Sequence, residues 1–323
     1  MDAKKPVVLV AGKVNPRIIE RLGDRFELVH AEKHARLSLG ANVATEVRGA
    51  VVSGDFPTDW MAELPKLEII GSFGVGYDGV DVREAAARGI TVTNTPDVLN
   101  DEVADTAIGL LINTVRQLPR AEDWLRGGNW VPGSNFPLSP LSLKGRKVGI
   151  FGLGRIGLEI ARRLEGFKVA IGYHTRSRRD DVPYTYYPGL LSMAEAVDTL
   201  ICIVPKTPET HKAINAEVLS ALGPRGVLIN VGRGWSVDET ALIGALEKGI
   251  IAAAGLDVFY DEPHVPAALM EFSNVCLLPH VASASVDTRN AMADLVADNL
   301  HAWFAEGRAL TPVPETPIPP RRN

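Results

Sequence analysis

Two cysteines in 323 residues, 6% aromatics and a formal net charge of −5 set the first limits. Two thiols leave nothing from which to build a disulfide framework. Cys202 and Cys276 lie in the apolar, strand-like runs LICIV and NVCLLP and read as buried, reduced thiols. With 34 Lys and Arg against 39 Asp and Glu, no global basic field favours nucleic acid or an anionic membrane. The start, MDAKKPVVLVAG, has only a short apolar run before Gly12 and Lys13, and reads as a first strand rather than a signal peptide or membrane span. His30, His34, His211 and His301 show no metal-ligand spacing, so no metal site is expected. A cytoplasmic enzyme is the default that remains.

What is present is alternation. Strand-like PVVLVAG, FELVH, AVVSG, LEIIGS and ITVTN are separated by helix-like NPRIIERLG, NVATEVRG, PTDWMAELP and DVREAAARG. Apolar, β-branched strands with short amphipathic helices between them imply a parallel sheet covered on both faces. From Asn100 the pattern NDEVADTAIGLLINTVRQLPRAEDWLRGG predicts one long helix, with Asn100 as N-cap, acids in the first turn and Gly127-Gly128 at the end. After a Pro- and Gly-rich loop the alternation restarts through KVGIFG, KVAIGYH, TLICIV, GVLINVG, AAAGLDV and NVCLLPH. A last long helix is predicted from Ser285 to Glu306. No strand follows it, so it is free to return to the first domain. The tail LTPVPETPIPPRRN is rich in proline and reads as extended or disordered.

Two stretches carry the G-x-G-x-x-G spacing: Gly74, Gly76 and Gly79, and again Gly152, Gly154 and Gly157. Such a loop needs a strand before it and a helix opening inside it. The second match has both, so helix amides and dipole can face a pyrophosphate, with Arg155 adding charge. The next strand ends where a carboxylate would ordinarily take the ribose hydroxyls, and none is there. His174, Thr175, Arg176, Ser177 and Arg178 stand in its place, offering charge and donors to a 2′-phosphate. NADPH is therefore the expected cofactor, with NADH weaker. Arg179, Asp180 and Asp181 show ordinary surface character too, and a solvated basic turn is the alternative. The first match lacks the helix start, since YDGVD looks like a turn followed by an N-cap, and Asp78 opposes a pyrophosphate. A loop of small residues after a strand can still present N–H groups to a small anion such as a carboxylate; a plain tight turn is the competing reading.

Arg233 follows GVLINVG, Glu262 lies near the end of GLDVFYDEP and His280 ends NVCLLPH, so parallel strands gather all three at one carboxyl edge. A ketone receiving hydride needs a proton for the developing alkoxide, which a histidine delivers near neutral pH. A neighbouring glutamate favours the imidazolium, and an arginine binds a carboxylate and polarises a carbonyl.

VGRG, LDVFYDEP, LLPHVAS, GLGRIG and GSFGVGYDGVD resemble the D-isomer-specific 2-hydroxyacid dehydrogenases over nearly the whole chain, and the YHTRS turn and GDFPTDW region look most like their glyoxylate/hydroxypyruvate reductases. The resemblance implies two doubly wound parallel-sheet α/β domains, a Rossmann cofactor domain (residues 100–285) inserted into a flavodoxin-like substrate domain (residues 1–99 plus 286–323). It implies reduction of glyoxylate, hydroxypyruvate or a related 2-oxo acid to the (R)-2-hydroxy acid, with His280 as acid/base, Glu262 supporting it and Arg233 binding substrate. Backbone of Val75 and Gly76 would hold the substrate carboxylate, with Ser53 and Gly54 lining the pocket. The cofactor would meet Leu153, Gly154, Arg155 and Ile156, the turn His174–Arg178, and Thr106, Val204, Pro205, Thr210, Val231, Gly232, Arg233, Asp257, His280, Ala282 and Ser283. Asp257 would accept a hydrogen bond from the nicotinamide carboxamide, or else cap a turn. A homodimer is implied, and in some relatives an aromatic side chain crosses into the partner's pocket; Trp130 or Phe136 could do so, or be ordinary surface or core aromatics. Trp60, Trp124 and Trp303 read as core or interface residues, and His264 as solvated. Glu262 argues against the formate-dehydrogenase branch, and the length leaves no room for the regulatory domain of many phosphoglycerate dehydrogenases. The alternatives are a dehydrogenase of a larger or phosphorylated 2-hydroxy acid and, in another class, a dinucleotide-sensing protein like the co-repressors that resemble this fold.

Overall fold

A computed structural model describes residues 4–33 and 37–317. In chain order its elements are β1 (Val7–Ala11), α1 (Pro16–Gly23), β2 (Glu27–Ala31), α2 (Ala41–Ala44), β3 (Val47–Val52), α3 (Thr58–Glu63), β4 (Ile69–Ser72), α4 (Val82–Ala87) and β5 (Thr91–Thr93). Then come α5 (Asn100–Arg116), α6 (Leu118–Arg126), β6 (Lys147–Phe151), α7 (Arg155–Glu165), β7 (Ala170–His174), β8 (Thr185–Tyr186), α8 (Leu190–Ala196) and β9 (Thr199–Cys202). The last are α9 (Ala216–Leu222), β10 (Val227–Asn230), α10 (Glu239–Glu247), β11 (Ala253–Leu256), α11 (Ala267–Glu271), β12 (Val275–Leu277) and α12 (Val286–Glu306). The chain divides into two compact units: Met1–Leu99 with Ala284–Asn323, and Asn100–Ser283.

The discontinuous unit is a parallel sheet in the order β2-β1-β3-β4-β5. β1 is buried along its whole length, as a strand covered on both faces must be. α12 returns to this unit: Arg17 and Arg21 of α1 each reach Asp294 at 2.7 Å, and Arg21 reaches Asp298 at 2.7 Å. The tail's described part, up to Pro317, runs extended along β5: Val313 N–H donates to the Val92 carbonyl at 2.9 Å, and Val92 N–H to Thr316 Oγ1 at 3.0 Å. Val313 is buried, so these residues cover a sheet edge rather than hang free. Residues 318–323 of the tail, like His34, lie outside the described residues.

The continuous unit is also all parallel, in the order β12-β11-β10-β9-β6-β7-β8. The chain starts at β6, winds outward to β7 and β8, then recrosses to β9 and onward, so a crevice opens at the carboxyl ends of β6 and β9. One apolar layer, with Met193, Leu219 and Leu242, packs α8 to α10 on one face. The other, with Leu111, Ile160 and Leu164, packs α5 and α7 on the opposite face.

Two expectations need correction. The long helix from Asn100 is two helices, broken at Gln117, which has φ 53°. Pro119 is the cause: its nitrogen cannot donate, and its ring would strike the carbonyl four residues back. A freed carbonyl, that of Arg116, is taken by the Ser139 hydroxyl at 2.7 Å. Only the first three residues of NVATEVRG are helical, as the end of α2 (Ala41–Ala44), and from Val47 its residues belong to β3.

Candidate active site

The second glycine loop is shaped by contacts that admit no side chain. Gly152, at φ +104°, would place a Cβ 2.7 Å from the Ile203 carbonyl oxygen, and Gly157 would place one 2.0 Å from the Gly152 carbonyl oxygen. Gly154, the N-cap of α7, has open space around it. The first turn of α7 therefore lies against its strand with its leading amides outward, the arrangement that receives a pyrophosphate. Leu153 is buried, Ile156 half-buried and Arg155 exposed.

After β7, His174 stacks on Phe151 at 5.6 Å, and its Nδ1 lies 2.9 Å from the Tyr187 carbonyl oxygen. The Thr175 hydroxyl donates to the Ser177 carbonyl at 2.6 Å, which closes the turn. Arg176, Ser177 and Arg178 are exposed, Arg178 facing Asp180 at 3.3 Å. Arg179 is different: it donates to the Leu153 carbonyl at 2.9 Å and pairs with Asp181 at 2.5 Å, fastening this turn to the glycine loop. Its position within a run of arginines gave no sign of that role.

His280 Nδ1 and Glu262 Oε2 are 2.7 Å apart, and the other Glu262 oxygen accepts the Phe259 N–H at 3.0 Å. Burial pushes the Glu262 carboxyl up, yet the hydrogen bonds from His280 and Phe259 and the charges of His280 and Arg233 together hold it below the usual range. Glu262 thus feels both cationic partners. The Arg233 and Glu262 loops abut, since a Cβ on Gly234 would lie 1.9 Å from the Phe259 carbonyl carbon. An aromatic group braces them from outside: Trp235 stacks on Tyr260 at 5.8 Å, packs tilted against His211 at 4.0 Å, and donates to the Thr207 carbonyl at 2.9 Å. Thr210 ties the same segment to the Pro205 carbonyl at 2.8 Å.

His280 has φ 53°, and its N–H donates to the Asp257 carbonyl at 2.8 Å. The Asp257 carboxylate, fully buried, accepts the N–H groups of Val281 (2.7 Å) and Ala282 (3.0 Å). Burial raises its pKa, and these two donors and the positive charge of His280 oppose the rise. Asp257 is therefore a turn cap that fixes the backbone of the histidine loop. Thr106 of α5 fastens the same loop through Ala282 at 3.1 Å, and Ser283 follows half-buried. Val204, Val231 and Gly232 are buried where two strand ends touch, a Cβ on Gly232 lying 2.9 Å from the Val204 carbonyl oxygen.

In the other unit the first glycine loop is differently built. Its helix, α4, starts only after Asp81, whose carboxylate caps Arg83 and Glu84 N–H at 3.1 and 3.0 Å. Gly79 packs on Gly54, where a Cβ would lie 2.7 Å from the carbonyl, and its own oxygen accepts Phe56 N–H at 2.8 Å. Asn94 holds the Val75 carbonyl at 2.8 Å, and Thr95 N–H holds that of Gly74 at 2.9 Å. A planar trans peptide points its N–H away from its carbonyl, so the N–H groups of Val75 and Gly76 face the opposite way. They donate to none of the described residues. Successive amides so aligned form a concavity for a small anion.

Residues 108–282 match the model of the D-isomer specific 2-hydroxyacid dehydrogenase, NAD binding domain. The chain belongs to the D-isomer-specific 2-hydroxyacid dehydrogenase family. It is similar to the hydroxyphenylpyruvate reductase of Plectranthus scutellarioides, 45% identical over 95% of this chain and 98% of that one. Glyoxylate/hydroxypyruvate reductase A of Arabidopsis thaliana is 44% identical over 95% and 98%. The crystal structure of an NADPH-dependent glyoxylate/hydroxypyruvate reductase from Sinorhizobium meliloti, with NADP and malonate, superposes at a TM-score of 0.95, with 64% identity over 99% of each chain. As a member of this dehydrogenase family the chain is an oxidoreductase with a dinucleotide-binding unit. No helix among the described residues is long and apolar enough to cross a membrane. Trp130, 70% exposed, stands apart from Phe136, which packs edge-on against Trp124 at 5.8 Å. Trp60 is buried in α3, Trp303 donates to Glu68 at 3.0 Å, and His264 is exposed beside Asp261.

Proposed function

We propose that this dehydrogenase reduces glyoxylate, hydroxypyruvate and related small 2-oxo acids with NADPH to (R)-2-hydroxy acids. The hydrogen bond between His280 and Glu262, at 2.7 Å, carries the reading. It leaves the outer ring nitrogen of His280 to give a proton to the substrate oxygen as it becomes an alkoxide, while Glu262 orients the ring and stabilises its charged form. Arg233 polarises the carbonyl, and the Val75 and Gly76 amides bind the carboxylate. The tight Gly152–Gly157 cradle fits a pyrophosphate. Bound NADPH supplies the hydride. Arg176 and Arg178 are exposed after β7, and the strand ends in His174 rather than a carboxylate, which supports preference for the 2′-phosphate. The relative solved with NADP supports it further.

Absorbance loss at 340 nm with a panel of 2-oxo acids tests this. Turnover of glyoxylate and hydroxypyruvate with NADPH is the expected result. Preference for NADH overturns the reading of Arg176 and Arg178. Dinucleotide binding without any turnover overturns the enzyme in favour of a sensor. Similarity to a hydroxyphenylpyruvate reductase favours a larger 2-oxo acid as the second reading.

The same reading includes a homodimer in the cytoplasm. No residue of α6 is buried, and Leu125, Trp130, Val131 and Leu138 are exposed within one stretch, apolar surface of the kind that partners cover. Trp130 is the aromatic placed to reach outward. Two buried, unpaired thiols suit a reducing compartment. Sedimentation of the wild type and a Trp130→Ser variant tests the dimer, and a monomeric wild type removes it.

A further inference from the structure

The amino-terminal unit carries a cation that the proposed mechanism does not use. Lys33 follows β2, and its side chain crosses the end of β1 to reach the end of β3. The crossing needs Gly12, whose φ is +67° and whose Cβ would sit 3.0 Å from the Lys33 Cε and Cγ. The Lys33 ammonium ends 2.5 Å from the Ser53 carbonyl oxygen and 3.8 Å from where a Gly54 Cβ would stand. Ser53 is its one hydrogen-bond acceptor among the described residues, and an ammonium has three N–H groups. Burial lowers the Lys33 pKa, and the nearby Asp55 partly restores it. Gly54 is also the surface on which the Gly74–Gly79 loop rests, through the Gly79 contact and the Phe56 hydrogen bond. A half-desolvated positive charge therefore stands beside Ser53 and Gly54, the segment on which the loop proposed to hold the substrate carboxylate rests.

We propose that Lys33 is a specificity-determining residue, selecting 2-oxo acids whose C3 bears an oxygen-containing group, a hydroxyl or a carboxylate, over those with an alkyl group there. The inference rests on the carboxylate-binding role proposed above for the Val75 and Gly76 amides and on the pocket-lining role that the family resemblance implies for Ser53 and Gly54. A partly desolvated ammonium gains a charge-assisted bond from an oxygen and only loses water to an alkyl group. A site built for such a bond rejects the analogue that lacks it.

Lys33→Met keeps the stem and removes the charge; Lys33→Arg keeps the charge. Both are assayed with saturating NADPH against glyoxylate, hydroxypyruvate, oxaloacetate and 2-oxobutyrate. In Lys33→Met, KM for hydroxypyruvate and oxaloacetate should rise about tenfold. KM for glyoxylate, which has no C3, should stay within about threefold, and KM for 2-oxobutyrate should fall. Lys33→Arg should return the hydroxypyruvate KM to near wild type. An equal change for all four acids, or none, overturns the selection. A wild type active on glyoxylate but indifferent between hydroxypyruvate and 2-oxobutyrate overturns it too. A wild type that turns over none of the four fails the proposed function itself, and this inference with it.

Discussion

Gly157→Ala measures how the cofactor cradle is held. A Cβ at that position lies 2.0 Å from the Gly152 carbonyl oxygen, against the 3.0 Å below which Cβ atoms essentially never approach other heavy atoms. The obstacle is backbone, with no rotamer to swing aside, so α7 and its loop must separate. Overpacking of a filled site costs about 1–3 kcal/mol, and a rigid neighbour puts this variant at about 3 kcal/mol. Where that strain falls on binding, NADPH Kd rises roughly 150-fold. Where it falls on the fold, the Tm of the continuous unit drops by roughly 6–12 °C. Fluorescence titration with NADPH and a thermal melt of the same protein read both. Gly244→Ala is the control for the substitution itself: it lies in α10 with nothing within 4 Å of its Cβ, and should gain up to about 1 kcal/mol. An NADPH Kd within about threefold of wild type, together with a Tm within about 2 °C, refutes the cradle.

His280→Asn is the sparing test of the proton donor, because asparagine tolerates the left-handed backbone that His280 adopts at φ 53°. It should lower kcat by about 10²–10⁴ in stopped-flow or steady-state assays while NADPH titration stays near wild type. Arg146 is buried and donates to the carbonyls of Asp198 and Arg225, each at 2.6 Å. Arg146→Met takes the donor from the Arg225 carbonyl and the cation from the Asp198 carboxylate, while the Asp198 carbonyl keeps the Val227 N–H, so urea unfolding should show a loss of about 3 kcal/mol. Because Glu262 is depressed in the folded state, its contribution is complete above the ordinary glutamate value of 4.5 and is lost as pH falls through the lowered one. Melts of Glu262→Gln and wild type from neutral pH downward should converge at the acid end, and a constant gap contradicts the assignment.

The strands were readable because both faces of each sheet are covered, which forces short, nearly continuous apolar runs such as VVLVA and VLIN. The histidine, glutamate and arginine were readable because parallel strands release them at one edge. What escaped follows from physics that a linear pattern does not carry. Helical periodicity runs through Gln117, although Pro119 was in plain view as the reason to stop. β8 has two residues and α11 five, too few to show a period. Arg146 and Arg179 look like any surface arginine, and only their carbonyl partners reveal them. Lys33 reaches its acceptor across 20 positions of chain, by way of a strand end that only the sheet order supplies.

The return of α12 sets an order of assembly during synthesis. A Cβ on Gly71 of β4 would already touch Leu300 at 3.0 Å and Val296 at 3.1 Å, so this helix lies tight upon the first sheet. Buried Asn299 then gathers the N–H groups of Leu310 and Thr311 at 2.9 and 3.0 Å, and Thr311 secures the Asn94 carbonyl at 2.7 Å. The strands of the first sheet therefore wait for α12, which the chain reaches only after the whole of the inserted unit. A nascent chain halted before Ala284 would carry a complete five-stranded sheet with the face that α12 covers left open and apolar, and that face is the surface a chaperone would have to guard.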